Sequence, residues 1–138
     1  MIILDTNVVS ELMRPQPAPR VVAWARGQSP ASIAITAVTV AEIGWGIARL
    51  PQGARRTSLA SRASRIFAAH AREVLPFDLR AAAHYGDIVA ARTAAGRPIN
   101  GFDAQIAAIA RAHKATLATR DSGGFAGVSI PLVDPWST

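Results

Sequence analysis

The chain begins Met-Ile-Ile-Leu-Asp-Thr-Asn, an apolar run that stops on a carboxylate. Residues 1–4 show almost no polar alternation, so a strand there is apolar on both faces. Such a strand belongs inside a parallel sheet covered by helices on both sides. The same reading sets where Asp5 leaves the sheet: at the C-terminal edge of a strand, where open α/β folds keep their ligands. The plainer alternative is that Asp5 only N-caps the next helix.

The rest of the sequence alternates short apolar segments with helical patterns. Helices are expected over 6–13, 19–26, 37–50, 54–72, 79–95 and 101–114, and strands over 32–36, 74–77, 116–119 and near 128–133. Pro15, Pro17, Pro51 and Gly96 punctuate them. This order predicts an α/β sandwich with a parallel sheet, and the 138 residues fit one domain spanning 1–138. There are no cysteines, which excludes disulfides and thiolate metal sites. No apolar run approaches the ~20 residues of a membrane span and no basic leader opens the chain, so a cytoplasmic protein is expected. A net charge of +6 favours polyanionic or acidic partners, and a 50% hydrophobic content suggests that an oligomer or partner covers apolar surface.

Nine acids are the informative residues. Glu11, Glu73 and Asp87 read as exposed, Asp78 as a helix cap, and Asp134 as a turn residue. Four others stand where acids are less expected. Asp5 and Asp121 each follow a strand. Glu42 is the one acid in the apolar stretch TAVTVAEIGWGIARL, although Thr39-Val-Ala-Glu42 also fits a capping box. Asp103 opens the helix that Asn100 would cap, where an acid also complements the helix dipole. In a parallel sheet all four positions face one edge. Four carboxylates in one cleft cannot all ionise unaided, and a hard divalent cation such as Mg²⁺ or Mn²⁺ resolves the conflict. Such a site activates water and stabilises charge on a phosphodiester.

Other chemistries fail on residue type. There is no GxxxxGK[ST] loop, no GxSxG motif and no cysteine nucleophile. Asp5-Thr6-Asn7 lacks the second acid of a haloacid-dehalogenase-type phosphatase. A carboxylate-metal phosphatase on other terms stays open. So does a non-catalytic receiver-like or nucleic-acid-binding module, although Lys114 precedes its strand instead of ending one.

The segments MIILDTNVVSEL, TVAEIGWGI, INGFDAQIAAIA, LATRDSGGF and the VDPW ending, in this order, resemble a PIN domain of the VapC-like toxin class over essentially the whole chain. The resemblance implies a PIN-like three-layer sandwich with a central, mainly parallel sheet. It also implies a Mg²⁺- or Mn²⁺-dependent ribonuclease, the toxin of a type II toxin–antitoxin pair. Asp5, Glu42, Asp103 and Asp121 match the acidic quartet of that family, with Asp5 and Asp103 the leading metal ligands. Asn7 and Thr119 match its supporting polar positions. One departure is Gly124, where an acid often precedes the aromatic of the last motif. The partners implied are RNA, a cognate antitoxin whose tail lies in a groove near the N-terminal and long helices, and further copies of the chain in a homodimer or higher complex. Within 54–72, Arg55, Arg62, Arg65 and Arg72 share a helical face and are expected to meet the RNA or an acidic stretch of the partner. Leu59, Ala63, Ile66 and Phe67 are expected to pack inward, and Trp45 to belong to the core.

Overall fold

A computed structural model describes residues 1–70 and 74–138. Five strands, β1 (Ile2–Leu4), β2 (Ile33–Thr36), β3 (Val74–Leu75), β4 (Thr116–Ala118) and β5 (Leu132–Val133), form one sheet in the order β3-β2-β1-β4-β5. Every pairing is parallel. Among the described residues six α-helices flank it: α1 (Thr6–Leu12), α2 (Pro19–Arg26), α3 (Ala37–Ala48), α4 (Ala54–Ala69), α5 (Leu79–Ala94) and α6 (Gly101–Ala112).

The strand side chains divide between two cores as a period of two requires. Ile3, Ala34 and Leu117 pack with Ala81 and Ile88 of α5 and with α6. Leu4, Ile33, Ile35 and Ala118 pack with Val8, Val9, Val21, Ile43 and Ala63 on the other face. These are the three layers expected from the doubly apolar first strand. Ala63 is buried, and Leu59, Ile66 and Phe67 pack against the second core as predicted.

Several boundaries differ for local reasons. The strand expected over 74–77 stops at Leu75, because Pro76 has no N–H for the ladder. The last strand shrinks to Leu132–Val133, since Gly127 (φ 80°) and Ser129 (φ 57°) are left-handed and cannot extend it. Helix α4 ends at Ala69, and Arg72 lies outside the described residues. Trp45 is not core: it is 65% exposed on the face of α3 that carries Glu42, with the Arg49 guanidinium 4.6 Å from its ring centroid. Lys114 sits just before β4 with φ 50°, and the Thr116 N–H donates to the Met1 carbonyl there. That is the sheet edge opposite Asp5, so the receiver-like reading loses its lysine. Among the described residues no helix is long and apolar enough to cross a membrane.

Candidate active site

The peptide N–H of Asp5 extends the sheet by donating to the Ala118 carbonyl at 2.9 Å, so the carboxylate emerges rigidly at the strand edge. Asp5 does cap α1, with Oδ1 accepting from Thr6 N at 2.8 Å. That occupies only one of its oxygens. Oδ2 accepts from the Thr119 hydroxyl at 2.7 Å, and Asp5 is only 4% exposed. The Thr119 Oγ1 also accepts from Asn7 Nδ2 at 3.2 Å and from Asp121 N at 3.0 Å. The two expected supporting residues thus join the ends of β1 and β4 around one hydroxyl.

Glu42 lies within α3, whose cap is Thr36, accepting from Thr39 N. The capping-box alternative is therefore excluded. Glu42 Oε1 accepts from the Thr6 hydroxyl at 2.8 Å, and Thr6 is 3.0 Å from the Thr39 hydroxyl. Asp103 opens α6 in a reciprocal pair with Asn100. Its N–H donates to Asn100 Oδ1 at 2.9 Å, and Asn100 Nδ2 donates to its Oδ2 at 2.6 Å. Asp121 follows β4 and turns back, with Oδ1 accepting from Gly124 N at 2.9 Å.

This explains the glycine. A Cβ at residue 124 would strike the Asp121 carboxylate, whose Cγ would be 2.7 Å away. Asp121 occupies the space that a side chain at 124 would need.

Asp5, Asp103 and Asp121 line one cavity of about 660 Å³ with Asn7, Glu11, Arg14, Arg55, Arg120 and Trp136. Glu42 stands behind Thr6 and lines an adjoining groove of about 670 Å³ with Trp45, Ile47 and Phe102. Burial pushes the Asp5 carboxyl up to about 6, against the hydrogen bonds from Thr119 and Thr6, and the charges of Asp103 and Glu42 add to the rise. Asp103 is also raised, first by burial and then by Asp121, with Asn100 opposing.

The donor set is oxygen only, and burial and neighbouring acids raise the Asp5 and Asp103 carboxyls, which suits a hard cation. Among the described residues no three acidic or histidine side chains form a ready metal cage. The fit is therefore to an ion held by one or two carboxylates with water completing its shell, as Mg²⁺ commonly is.

Sequence reasoning placed Glu11 in solvent. It is instead 7% exposed, lines the cavity and meets Arg14 at 3.2 Å. The signal was its position four residues after Asn7 and three after Val8, on the inward stripe of α1. Thr6 and Thr39 were also missed. Of the arginine stripe, Arg55 lines the cavity and Arg62 the small pocket beside it, where its guanidinium donates to Met13 O at 3.0 Å. Arg65 is exposed and lines neither.

The fold and site define a layered parallel α/β protein with acids gathered at the C-terminal strand edge. Residues 2–130 match the PIN domain family, and the chain belongs to it. It is 41% identical over 137 residues to VapC ribonuclease Y4jK of Sinorhizobium fredii, covering 99% of this chain and 98% of that protein. It is also 41% identical to Toxin FitB of Neisseria gonorrhoeae, with 99% of each covered. The FitAcB crystal structure from Neisseria gonorrhoeae superposes with a TM-score of 0.92 at 40% identity over 100% of both chains.

Proposed function

We propose that residues 1–138 act as one PIN-like domain with metal-dependent endoribonuclease activity, the toxin of a toxin–antitoxin pair. The observation that carries this reading is the buried Asp5 carboxylate, oriented through Thr119 and facing Asp103 and Asp121 across a cavity that also holds arginines. The relatives named a VapC ribonuclease and a toxin point the same way.

Asp5 and Asp103 would hold the ion, Asp121 would bind one of its waters, and Glu42, placed by the Thr6 hydroxyl, would act on the site through its charge. Bound Mg²⁺ or Mn²⁺ supplies Lewis acidity and eases deprotonation of water. Thr119 fixes the Asp5 carboxylate and Asn100 fixes that of Asp103, so neither reorganises when an ion or a phosphate arrives. Arg55, and Arg14 steadied by Glu11, draw the RNA backbone into the cavity. The cognate antitoxin would cover the groove of Trp45 and Phe102, which are 65% and 55% exposed.

The test is incubation of the purified chain with RNA, DNA and a phosphomonoester, each with Mg²⁺, Mn²⁺ or EDTA. RNA cleavage with metal only, lost in Asp5→Asn, is expected. Cleavage that persists in EDTA would falsify the metal dependence, and turnover of the phosphomonoester alone would replace the nuclease with a phosphatase.

A further inference from the structure

We propose that Arg120 and Trp136 form a nucleobase-stacking wall that holds an unpaired base of the RNA beside the carboxylates. The inference deepens the ribonuclease reading above and rests on it.

The Arg120 guanidinium carbon lies 5.2 Å from the centroid of the Trp136 ring. Both residues line the cavity that contains Asp5, Asp103 and Asp121. The backbone of each is tied to neighbouring side chains. Arg120 stands between Thr119 and Asp121, and its N–H donates to Asn7 Oδ1 at 3.4 Å. The Trp136 N–H donates to Asp134 Oδ1 at 2.9 Å, and its carbonyl accepts from Arg20 at 3.4 Å. The Trp136 ring packs against the core beneath α1–α4, yet the residue is only half-buried. Part of it lines the cavity, next to a cation.

That cation is spent on no carboxylate. Among the described residues the one salt bridge joins Arg14 to Glu11, and Arg120 makes none, although Asp121 is its neighbour. A tryptophan serving only the core has no need to border an acidic cavity. A surface arginine serving only solubility has no need to lie over an indole. Together they present a flat, polarisable, positively charged surface. Nucleobases stack on aromatic rings and on guanidinium planes, whatever their sequence, once they are splayed out of a duplex. With the base on this wall, its phosphate faces the carboxylates, and Arg55 lines the same cavity to meet the backbone.

The experiment uses the full chain carrying Asp5→Asn, bound to a short RNA that the parent chain cuts. 2-Aminopurine replaces each base around the cut in turn, because its emission is quenched on stacking. We expect quenching at one position flanking the cut. Trp136→Leu should abolish that quenching and weaken binding about 5- to 150-fold, the range for one lost base–aromatic stack. Trp136→Phe should retain most of both. Arg120→Lys keeps the charge at an exposed site but loses the plane, and should weaken binding about 2- to 5-fold, as for an exposed cation–π contact. An abasic nucleotide at the quenched position should weaken binding to the parent and not further weaken Trp136→Leu.

Unchanged binding and quenching in both Trp136→Leu and Arg120→Lys overturns the proposal. So does loss confined to Trp136→Leu with Arg120→Lys unaltered, which makes Trp136 a packing residue or a protein-partner contact. Failure of the parent chain to cut RNA with metal overturns the ribonuclease reading and this proposal with it. RNA cut and bound without quenching removes the stacking wall alone.

Discussion

The Thr119 hydroxyl donates to Asp5 Oδ2 at 2.7 Å and accepts from Asp121 N at 3.0 Å, so one side chain sets the positions of two acids on neighbouring strand ends. A hydrogen bond to a charged group contributes roughly 1.5–3 kcal/mol. Thr119→Val keeps the shape and removes the hydroxyl. The Asp5 carboxyl should then titrate still higher, and the pH at which RNA cleavage reaches half its maximum should rise. Thr119→Ser should restore the parent profile. A pH–rate profile that does not move in Thr119→Val would show that the hydroxyl is only packed there.

The raised Asp5 carboxyl makes the metal-free protein weaker at neutral pH. Its ordinary value is 3.8 and its folded value is about 6, so the folded state binds the proton more tightly than the unfolded chain. Stability from this group is therefore full below about pH 4 and is lost as pH rises to about 6; by linkage the cost above that is on the order of 3 kcal/mol. Asp5→Asn removes the charge. Thermal melts in EDTA should show Asp5→Asn above the parent at pH 7.5, with the gap closing by pH 4. Added Mn²⁺ should raise the parent at pH 7.5 and leave Asp5→Asn unmoved. A gap that does not depend on pH would mean that Asp5 is ionised in the fold without penalty.

Because Thr36 caps α3, Glu42 has no capping duty, and Glu42→Gln should melt within about 0.5 kcal/mol of the parent, as for a substitution away from such features. The amide oxygen can still accept from Thr6. Cleavage should nevertheless fall, since a neutral side chain there removes negative charge that would help to hold the cation, even though Asp5 itself ionises more easily without it. The paired measurement is a melt and a Mn²⁺ titration of activity. A destabilised Glu42→Gln would return the residue to a structural role in α3.

Most of this layout was legible because it depends on local chemistry. The doubly apolar Met1–Leu4 run specified a covered parallel sheet, and the strand-end positions of Asp5 and Asp121 followed from it. Asn100 and Asp78 cap their helices as their residue types require. What escaped depends on contacts distant in sequence. Glu11 lies in a cavity whose other walls come from Arg55, Asp103 and Trp136, while Trp45 is exposed because α3 turns Val38, Thr39 and Ile43 inward. Thr6 reaches Glu42 across 36 positions, and Thr119 reaches Asp5 across 114, separations that no local pattern records. Nothing in the local sequence marks Arg92. It is 6% exposed and donates to the carbonyls of Gly123 and Ala126, holding the loop after Asp121.

That loop fixes where the Asp121 carboxylate sits. Gly124 supplies its N–H to Asp121 Oδ1, and any Cβ at residue 124 would collide with the same carboxylate. Gly124→Ala must therefore swing Asp121 away or shift the loop. The loop is held from behind by Arg92 and by Arg97, which donates to the Gly123 carbonyl at 3.2 Å. The side chain of Asp121, exposed and tied by one bond at its tip, is the part that yields. Gly124→Ala should thus cost more activity than Asp121→Asn, which keeps an oxygen to accept from Gly124 and leaves the loop in place. Both should fold, with melts within roughly 1 kcal/mol of the parent, because neither touches the buried core. Cleavage rates across a Mn²⁺ titration check the order. If Gly124→Ala is as active as the parent, Asp121 does not need the position that its bond to Gly124 gives it.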